Sequence, residues 1–394
     1  MKKKIVLMGY LSRCPIAGVI WQHLHYIIGF QRLGFDVYYF EDTTSWPYDA
    51  KQMTITEDCS YAVEVTKRLA EQYGFHWGFR AAYRRPAETF GCEAALFNRT
   101  LTEADAVLNL CGAQEMTEHV RKAKCLVYVE SDPGIEQIKL AKGITDTIHY
   151  LKSHHIHFTF GENIGREDCP LPVLEGIQWR PTRQPIILDL WKQERRASGS
   201  GDFRVTTVAN WETKGKDIVW KNKIYYWSKT FEFLKFSDLP RAVRAKKSLS
   251  WEMATDMRAD PASEELFRRQ GWVLSEPHEM SAEFSRYRDY IQSSDAEWTV
   301  AKDQYIRLNT GWFSDRSACY LAAGRPVITQ DTGFATCIPV GEGLFSFRSV
   351  ADIQAAIDAI LSDPARHAKA AEALARDYFD AKKVCGAMAK QIGI

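Results

Sequence analysis

The residues best suited to chemistry in this chain cluster at 309–334. Gly311 lies in a loop leading to Ser314, a residue type whose hydroxyl can satisfy an orphan amide of the next helical turn. Ala318, Leu321, Ala322 and Ala323 continue a helix, Gly324 tolerates a left-handed ending, and Pro326 forbids the helix from resuming. Val327 to Thr329 then reads as a short buried strand, and Asp331 to Gly333 as the turn at its carboxyl end. The first turn of such a helix carries free N–H groups and a partial positive charge, which suits a phosphate. Gly311, Ser314, Asp315, Arg316, Ser317, Asp331 and Gly333 are therefore expected to surround a phosphate-bearing ligand.

Proton-transfer groups form a second set. Glu130, Asp132 and Glu162, with Asn109 and Asn163, each follow an apolar run that reads as a parallel strand. Turns at the carboxyl ends of such strands line the crevice of an open α/β sheet. His23 and His25 fall in the first expected helix, close to its N-terminal loop, and an imidazole titrates near working pH. His25 is thus a candidate base, against the commoner role of a helix histidine as a packing group. In the turn Asn210 to Lys216, Lys214 can neutralise a phosphate and Trp211 can stack on a base. Lys229 offers a further cation, beside Ser228, a residue able to cap a helix containing Phe231, Phe233 and Leu234.

The elements that must position these groups alternate. Ile5 to Tyr10 is a continuous apolar run, as expected of a strand buried on both faces. A helix to about Leu33 follows, with Ile20, Leu24, Ile27 and Ile28 at helical spacing, and then a strand at Val37 to Phe40. That is a βαβ unit. Residues 43 to 100 carry helical patches without a secure order. Strand character returns at Ala106–Leu110, Cys125–Val129 and Ile156–Phe160. A polar run from Arg195 to Gly201 reads as a flexible link. Beyond it, strands are expected from Phe203 to Ala209, near Ser248–Trp251, Trp272–Leu274, Trp298–Ala301 and Leu344–Phe347, with helices between them. From Ala351 the pattern is helical to the end.

At 394 residues the chain fits two domains of similar size. Lys+Arg 51 against Asp+Glu 50 argues against a nucleic-acid or membrane partner held by bulk charge. An aromatic share of 12% suits sugar-binding faces and core packing equally. Nine scattered cysteines, an odd number without C-x-x-C spacing, suggest neither a zinc site nor a disulfide framework. The apolar run after Lys2–Lys4 is too short for a signal peptide, and no segment is long enough to span a bilayer. A cytoplasmic protein is expected. P-loop, dinucleotide, zincin and hydrolase-elbow motifs are absent from the sequence.

The stretch Ala318 to Val327 resembles the nucleotide-sugar site of glycosyltransferases with the two-domain GT-B architecture, where "small-Leu-Ala-x-Gly-x-Pro-Val" follows a Gly-rich loop. The first βαβ unit, with Ala17-Gly18 opening its helix and Leu33 to Val37 closing it, resembles the corresponding part of those enzymes. The resemblance implies an α/β fold of two doubly wound Rossmann-like domains facing a cleft. It places an acceptor-side domain at 1–190, a nucleotide-sugar-binding domain at 202–375, and a helix at 376–394 crossing back to the first. It implies glycosyl transfer from a nucleotide diphosphate sugar to an unidentified small molecule, glycan or peptide, with the donor as co-substrate and no metal required. Gly18, Trp211, Lys214 and Lys229 join the helix-end residues as donor contacts, and His25, Glu130, Asp132 and Glu162 compete as the base. One departure stands out: such families carry a Glu for the donor ribose where this chain has Cys319, leaving Asp315 or Asp331 as substitutes. A 2-epimerase of the same fold and a silent nucleotide- or partner-binding scaffold are the alternatives. Glu130-Ser131-Asp132 also invites the metal-binding acidic motif of the single-domain GT-A fold.

Overall fold

The computed structural model describes residues 2–192 and 201–394. The link read at 195–201 falls, except for Gly201, outside the described residues. The first lobe is built on a sheet of eight strands: β1 (Lys4–Met8), β2 (Asp36–Thr43), β3 (His76–Ala81), β4 (Glu88–Phe90), β5 (Ala106–Leu110), β6 (Leu126–Glu130), β7 (Ile156–Thr159) and β8 (Trp179–Pro181). Their order is β8-β7-β6-β5-β1-β2-β3-β4, parallel except for the last pair. Ile5 to Met8 are fully buried because helices cover both faces, which explains the unbroken apolar run. Helix α1 (Ala17–Arg32) follows β1 directly. The unordered region from 43 to 100 resolves into Ser60–Tyr73 and Ala94–Glu103, both helical, flanking β3 and β4.

The second lobe has six parallel strands: β9 (Phe203–Val208), β10 (Leu249–Ala254), β11 (Val273–Ser275), β12 (Ala296–Thr299), β13 (Val327–Gln330) and β14 (Leu344–Phe347). Their order is β11-β10-β9-β12-β13-β14. In both sheets the order reverses beside the first strand, which opens a crevice at the carboxyl ends there. Trp251, Trp272 and Trp298 pack with Phe236 and Phe347 in the second core. Trp21 and Trp191 pack with tilted rings 4.9 Å apart in the first. Much of the aromatic share is therefore core, and of the tryptophans only Trp21 borders the main cleft.

The helices that matter for the site are α2 (Phe284–Ser293) and α3 (Asp315–Ala322). The final helix, α4 (Ala381–Ile392), packs on α1, and Arg180 of the first lobe donates to the Gln391 carbonyl at 2.9 Å. At the base of the crevice the lobes are stitched together. Asn163 donates to the Asn309 and Gly333 carbonyls at 3.0 and 3.1 Å, Trp312 donates to the Ser131 carbonyl at 2.9 Å, and Gln184 donates to the Phe313 carbonyl at 3.0 Å. The second Rossmann-like sheet removes the single-domain GT-A reading.

Candidate active site

A cleft of about 570 Å³ lies between the lobes. The first lobe contributes Tyr10 after β1, the first turns of α1 with Gly18 and Gln22, and Asp132 after β6. The second lobe contributes Asn210 after β9, Asp256 after β10, and the start of α3 from Ser314 to Arg316. Two helix N-termini thus open onto one space. Ile16 and Ser314 take the N-cap positions with extended backbones, and neither makes a side-chain cap bond. The sequence marked Ser314 as a cap, and the structure leaves its hydroxyl uncommitted while the residue is only 8% exposed. The first-turn amides of α3 have no intrahelical acceptor, so a bound anion can meet them directly.

The charges in the cleft pair off almost completely. Arg316, expected to meet a phosphate, instead reaches back beneath the helix. Its Nε meets Glu297 Oε1 at 2.5 Å, Nη1 meets the Val208 carbonyl at 2.5 Å, and Nη2 meets Thr299 Oγ1 at 2.6 Å. Glu297 is fully buried, so this pair neutralises an acid in the sheet rather than waiting for a ligand. Asp132 is bound by Lys302 at 2.6 Å and by the Tyr305 hydroxyl, and the Lys302 ammonium holds its carboxyl down at about 2 against the opposing effect of burial. Asp256 is paired with Arg258 at 2.7 Å and with His278 at 3.2 Å. Two groups remain over. Lys229, half-buried just before a short helix (Thr230–Leu234), has no ion-pair or hydrogen-bond partner for its ammonium among the described residues. Burial and the nearby Arg316 and Lys302 press its pKa well below that of an ordinary lysine. Asp315, first residue of α3, has only a long contact from Gln22 Nε2 at 3.4 Å and its own amide.

Several expected site residues are committed to other partners or lie away from the cleft, and His25, which borders it, is committed. His25 is 1% exposed, its Nε2 accepts from Trp191 Nε1 at 2.9 Å, and burial depresses it to about 3. It is a neutral packing group whose lone pair is already used. His23 is likewise fixed, facing the Val19 carbonyl through Nδ1 and accepting from the Tyr10 amide through Nε2. Glu162 forms a two-pronged ion pair with Arg183 at 2.6 and 2.7 Å, away from the cleft. Glu130 accepts from Thr159 and Gln137, is raised to about 8 by burial, and faces a neighbouring cavity of about 440 Å³ that shares Asp132 with the cleft.

Trp211 packs against Phe233 and Phe267 and donates to Asp260 at 3.1 Å, so no face is left for a base. Lys214 stands in solvent with its side chain 83% exposed. Ser228 bonds the Thr213 backbone instead of capping the next helix. Gly311 and Gly333, at φ +76 and +88, let the second-lobe loops close on Asn163: a Cβ at Gly311 would lie 2.9 Å from the asparagine side chain. Both glycines pack against the Asn163 side chain, and neither is among the residues lining the cleft. Asp331 is tied to Arg348 and to the Gly333 amide. Ser317 is fully buried, its hydroxyl without a partner among the described residues, so its offering to a ligand is the backbone amide. Cys319, one turn below Asp315, borders the cleft as a buried thiol pushed well up from its usual pKa by burial.

The cleft thus gathers Gly18, His25, Asp132, Ser314, Asp315 and Arg316 of the expected set, His25 with its ring already bonded to Trp191, and Lys229 is coupled electrostatically to Asp132 and Arg316. Gln22, Tyr10, Asp256 and Lys302 were missed. The strand-end rule, applied to the second sheet as it was to the first, points to Asp256.

No protein-family model and no curated protein matches the sequence. Solved structures do match its shape. A glycosyltransferase from Rickettsia africae aligns over 99% of this chain and 98% of its own, with 11% identity and a TM-score of 0.58. Anabaena HepE, solved with UDP and glucose, covers 99% of both chains at 11% identity and a TM-score of 0.55. An alpha-glucosyltransferase solved with UDP and a DNA containing a modified base covers 100% of both at 13% identity and a TM-score of 0.55. No helix among the described residues is long and apolar enough to cross a membrane. Two facing Rossmann-like sheets, a final helix returned to the first lobe and end-to-end likeness to these enzymes give one conclusion: the chain has the GT-B glycosyltransferase fold.

Proposed function

We propose that the protein transfers a glycosyl group from a nucleoside diphosphate sugar to an acceptor hydroxyl. The observation that carries this is an uncapped helix end at Ser314 on the cleft, with the partnerless Lys229 ammonium coupled to two cleft residues, Arg316 and Asp132, while the Arg316 guanidinium is engaged by a carboxylate. Both donate to an anion; Lys229 has none and the helix end has only the carboxyl of its own first residue, Asp315, so a diphosphate completes them. When the bond from sugar to diphosphate breaks, charge grows on the departing phosphate, and preorganised amides and an ammonium stabilise it without a metal. Asp132 presents its carboxylate from the opposite lobe and orients the acceptor hydroxyl. Because Lys302 keeps that carboxylate near 2, it is a weak base, and the hydroxyl proton leaves with the diphosphate as the new glycosidic bond forms.

The bound UDP of two neighbours makes a uridine nucleotide the first donor to try. The acceptor is a small molecule, glycan or peptide. All nine cysteines are free thiols, which suits a cytoplasmic protein. A thermal-shift panel of UDP, GDP, TDP and CDP tests donor binding, because a ligand at 100 times its Kd stabilises by about 2.7 kcal/mol. Slow release of nucleoside diphosphate from the matching sugar donor supports transfer. A 2-epimerised sugar in the products indicates an epimerase. Binding without turnover indicates a silent scaffold, in keeping with Cys319 at the ribose position. No shift with any nucleotide refutes the proposal.

A further inference from the structure

The remaining unpaired group, Asp315, poses a problem that the donor reading does not solve. A carboxylate at the first position of α3 occupies the space where a diphosphate would meet the helix amides, and Asp132 adds a second negative charge from across the cleft. Among the described residues every other acid bordering the cleft has a cation, Asp132 with Lys302 and Asp256 with Arg258, and Asp315 has none. Its neighbours are Arg316 and Cys319 on its own helix, Gln22 and Tyr26 on α1, Tyr10 after β1, Cys111 after β5, Asp132 after β6 and Tyr305 in the second lobe. The only cation among them, Arg316, is committed to Glu297.

We propose that donor binding is coupled to protonation of Asp315: the carboxyl carries a proton in the complex and donates it in a hydrogen bond to the diphosphate. This rests on the donor-site reading above. The proton comes from solvent, and no covalent bond is made or broken. Burial, with Asp132 reinforcing it, already raises the empty site's Asp315 to about 7. A dianion beside it raises it further. Below that midpoint the acid is already neutral and affinity is independent of pH. Above it each binding event takes up one proton, so Kd rises about tenfold per pH unit. Lys229 facing the same ligand can produce a similar slope by losing its own proton, and the variants separate the two.

The test uses UDP-glucose, GDP-mannose, TDP-glucose and CDP-glucose, carrying forward whichever binds. The phosphates of these diesters do not titrate between pH 6 and 9, and the ring N–H groups of uracil, thymine and guanine ionise only from near pH 9, so the slope read from pH 7 to 8 belongs to the protein. Affinity is measured by calorimetry from pH 6 to 9 with chelator present, at pH 8 in buffers of differing ionisation enthalpy. The expected results are close to one proton taken up at pH 8, a wild-type Kd rising about tenfold per unit above 7, a flat profile for Asp315→Asn, and a retained slope for Lys229→Met. A flat wild type without proton uptake overturns the proposal. So does an Asp315→Asn variant that keeps the slope. If that variant does not fold, a Lys229→Met protein that loses the slope overturns it equally. Failure of all four nucleotide sugars to bind would instead refute the donor site itself.

Discussion

Replacing Lys229 with methionine separates a ligand-binding cation from a structural one. The side chain keeps most of its length and apolar stem, so packing beside Arg316 and Lys302 changes little. The ammonium has no carboxylate of its own, and two nearby cations oppose it. Removing it therefore costs the folded protein nothing in hydrogen bonds and relieves that repulsion. The unliganded melting temperature should stay level or rise, by an amount worth no more than about 1 kcal/mol at a half-buried site. The ligand should lose a charge-assisted hydrogen bond worth about 1.5–3 kcal/mol, a roughly 10- to 150-fold rise in Kd. Calorimetry at pH 6.5 with the best nucleotide of the panel measures this, with melting of the empty protein in parallel. A Kd within twofold of wild type refutes the reasoning. So does a lowered melting temperature, which would mean the lysine holds the fold together.

Other substitutions should behave oppositely. Arg316→Met leaves Glu297 charged and fully buried, which should cost about 3–5 kcal/mol and lower the melting temperature by about 5 °C. Adding Glu297→Gln should restore much of that loss. Lys214→Ala removes a solvated side chain and should leave nucleotide Kd within twofold, as titration will show. Asp132→Asn should remove about 1 kcal/mol of stability, small because the carboxylate is partly exposed. The sign follows from its depressed pKa: the contribution is complete above pH 4 and disappears as pH falls towards 2. Wild type and variant should therefore melt apart at pH 5 and together near pH 2.

The fold was legible where periodicity was strong. The run Ile5 to Met8, the spacing of Ile20, Leu24 and Ile27, and the helix-and-strand unit from Ser314 to Gln330 each appear in place, although Ser314 holds the N-cap position without a side-chain cap bond. Residues 43–100 were not legible, because β3 and β4 form the edge of the sheet and their short, half-exposed runs carry little apolar signal. The site was less legible than the fold. Asp132, Asp315 and Gly18 border the cleft because strand ends and helix starts, which the sequence marks, fix where a residue sits. The sequence could not say which way a side chain turns. Arg316 and Trp211 lie at the right elements but reach the sheet and the core, because Glu297 and Phe233 wait for them there, far away in sequence. His25 is drawn inward by Trp191 for the same reason. Lys229 shows the converse: only the three-dimensional count of partners reveals it as the unmatched cation.

A crystal structure of the protein with UDP, or with whichever nucleoside diphosphate gives the largest thermal shift, tests the central claim most directly. The account expects phosphate oxygens within hydrogen-bonding distance of the Arg316 and Ser317 amides, with Lys229 Nζ on the same group. A nucleotide bound outside the inter-lobe cleft, or one in the cleft with its phosphates turned away from the start of α3, would contradict it.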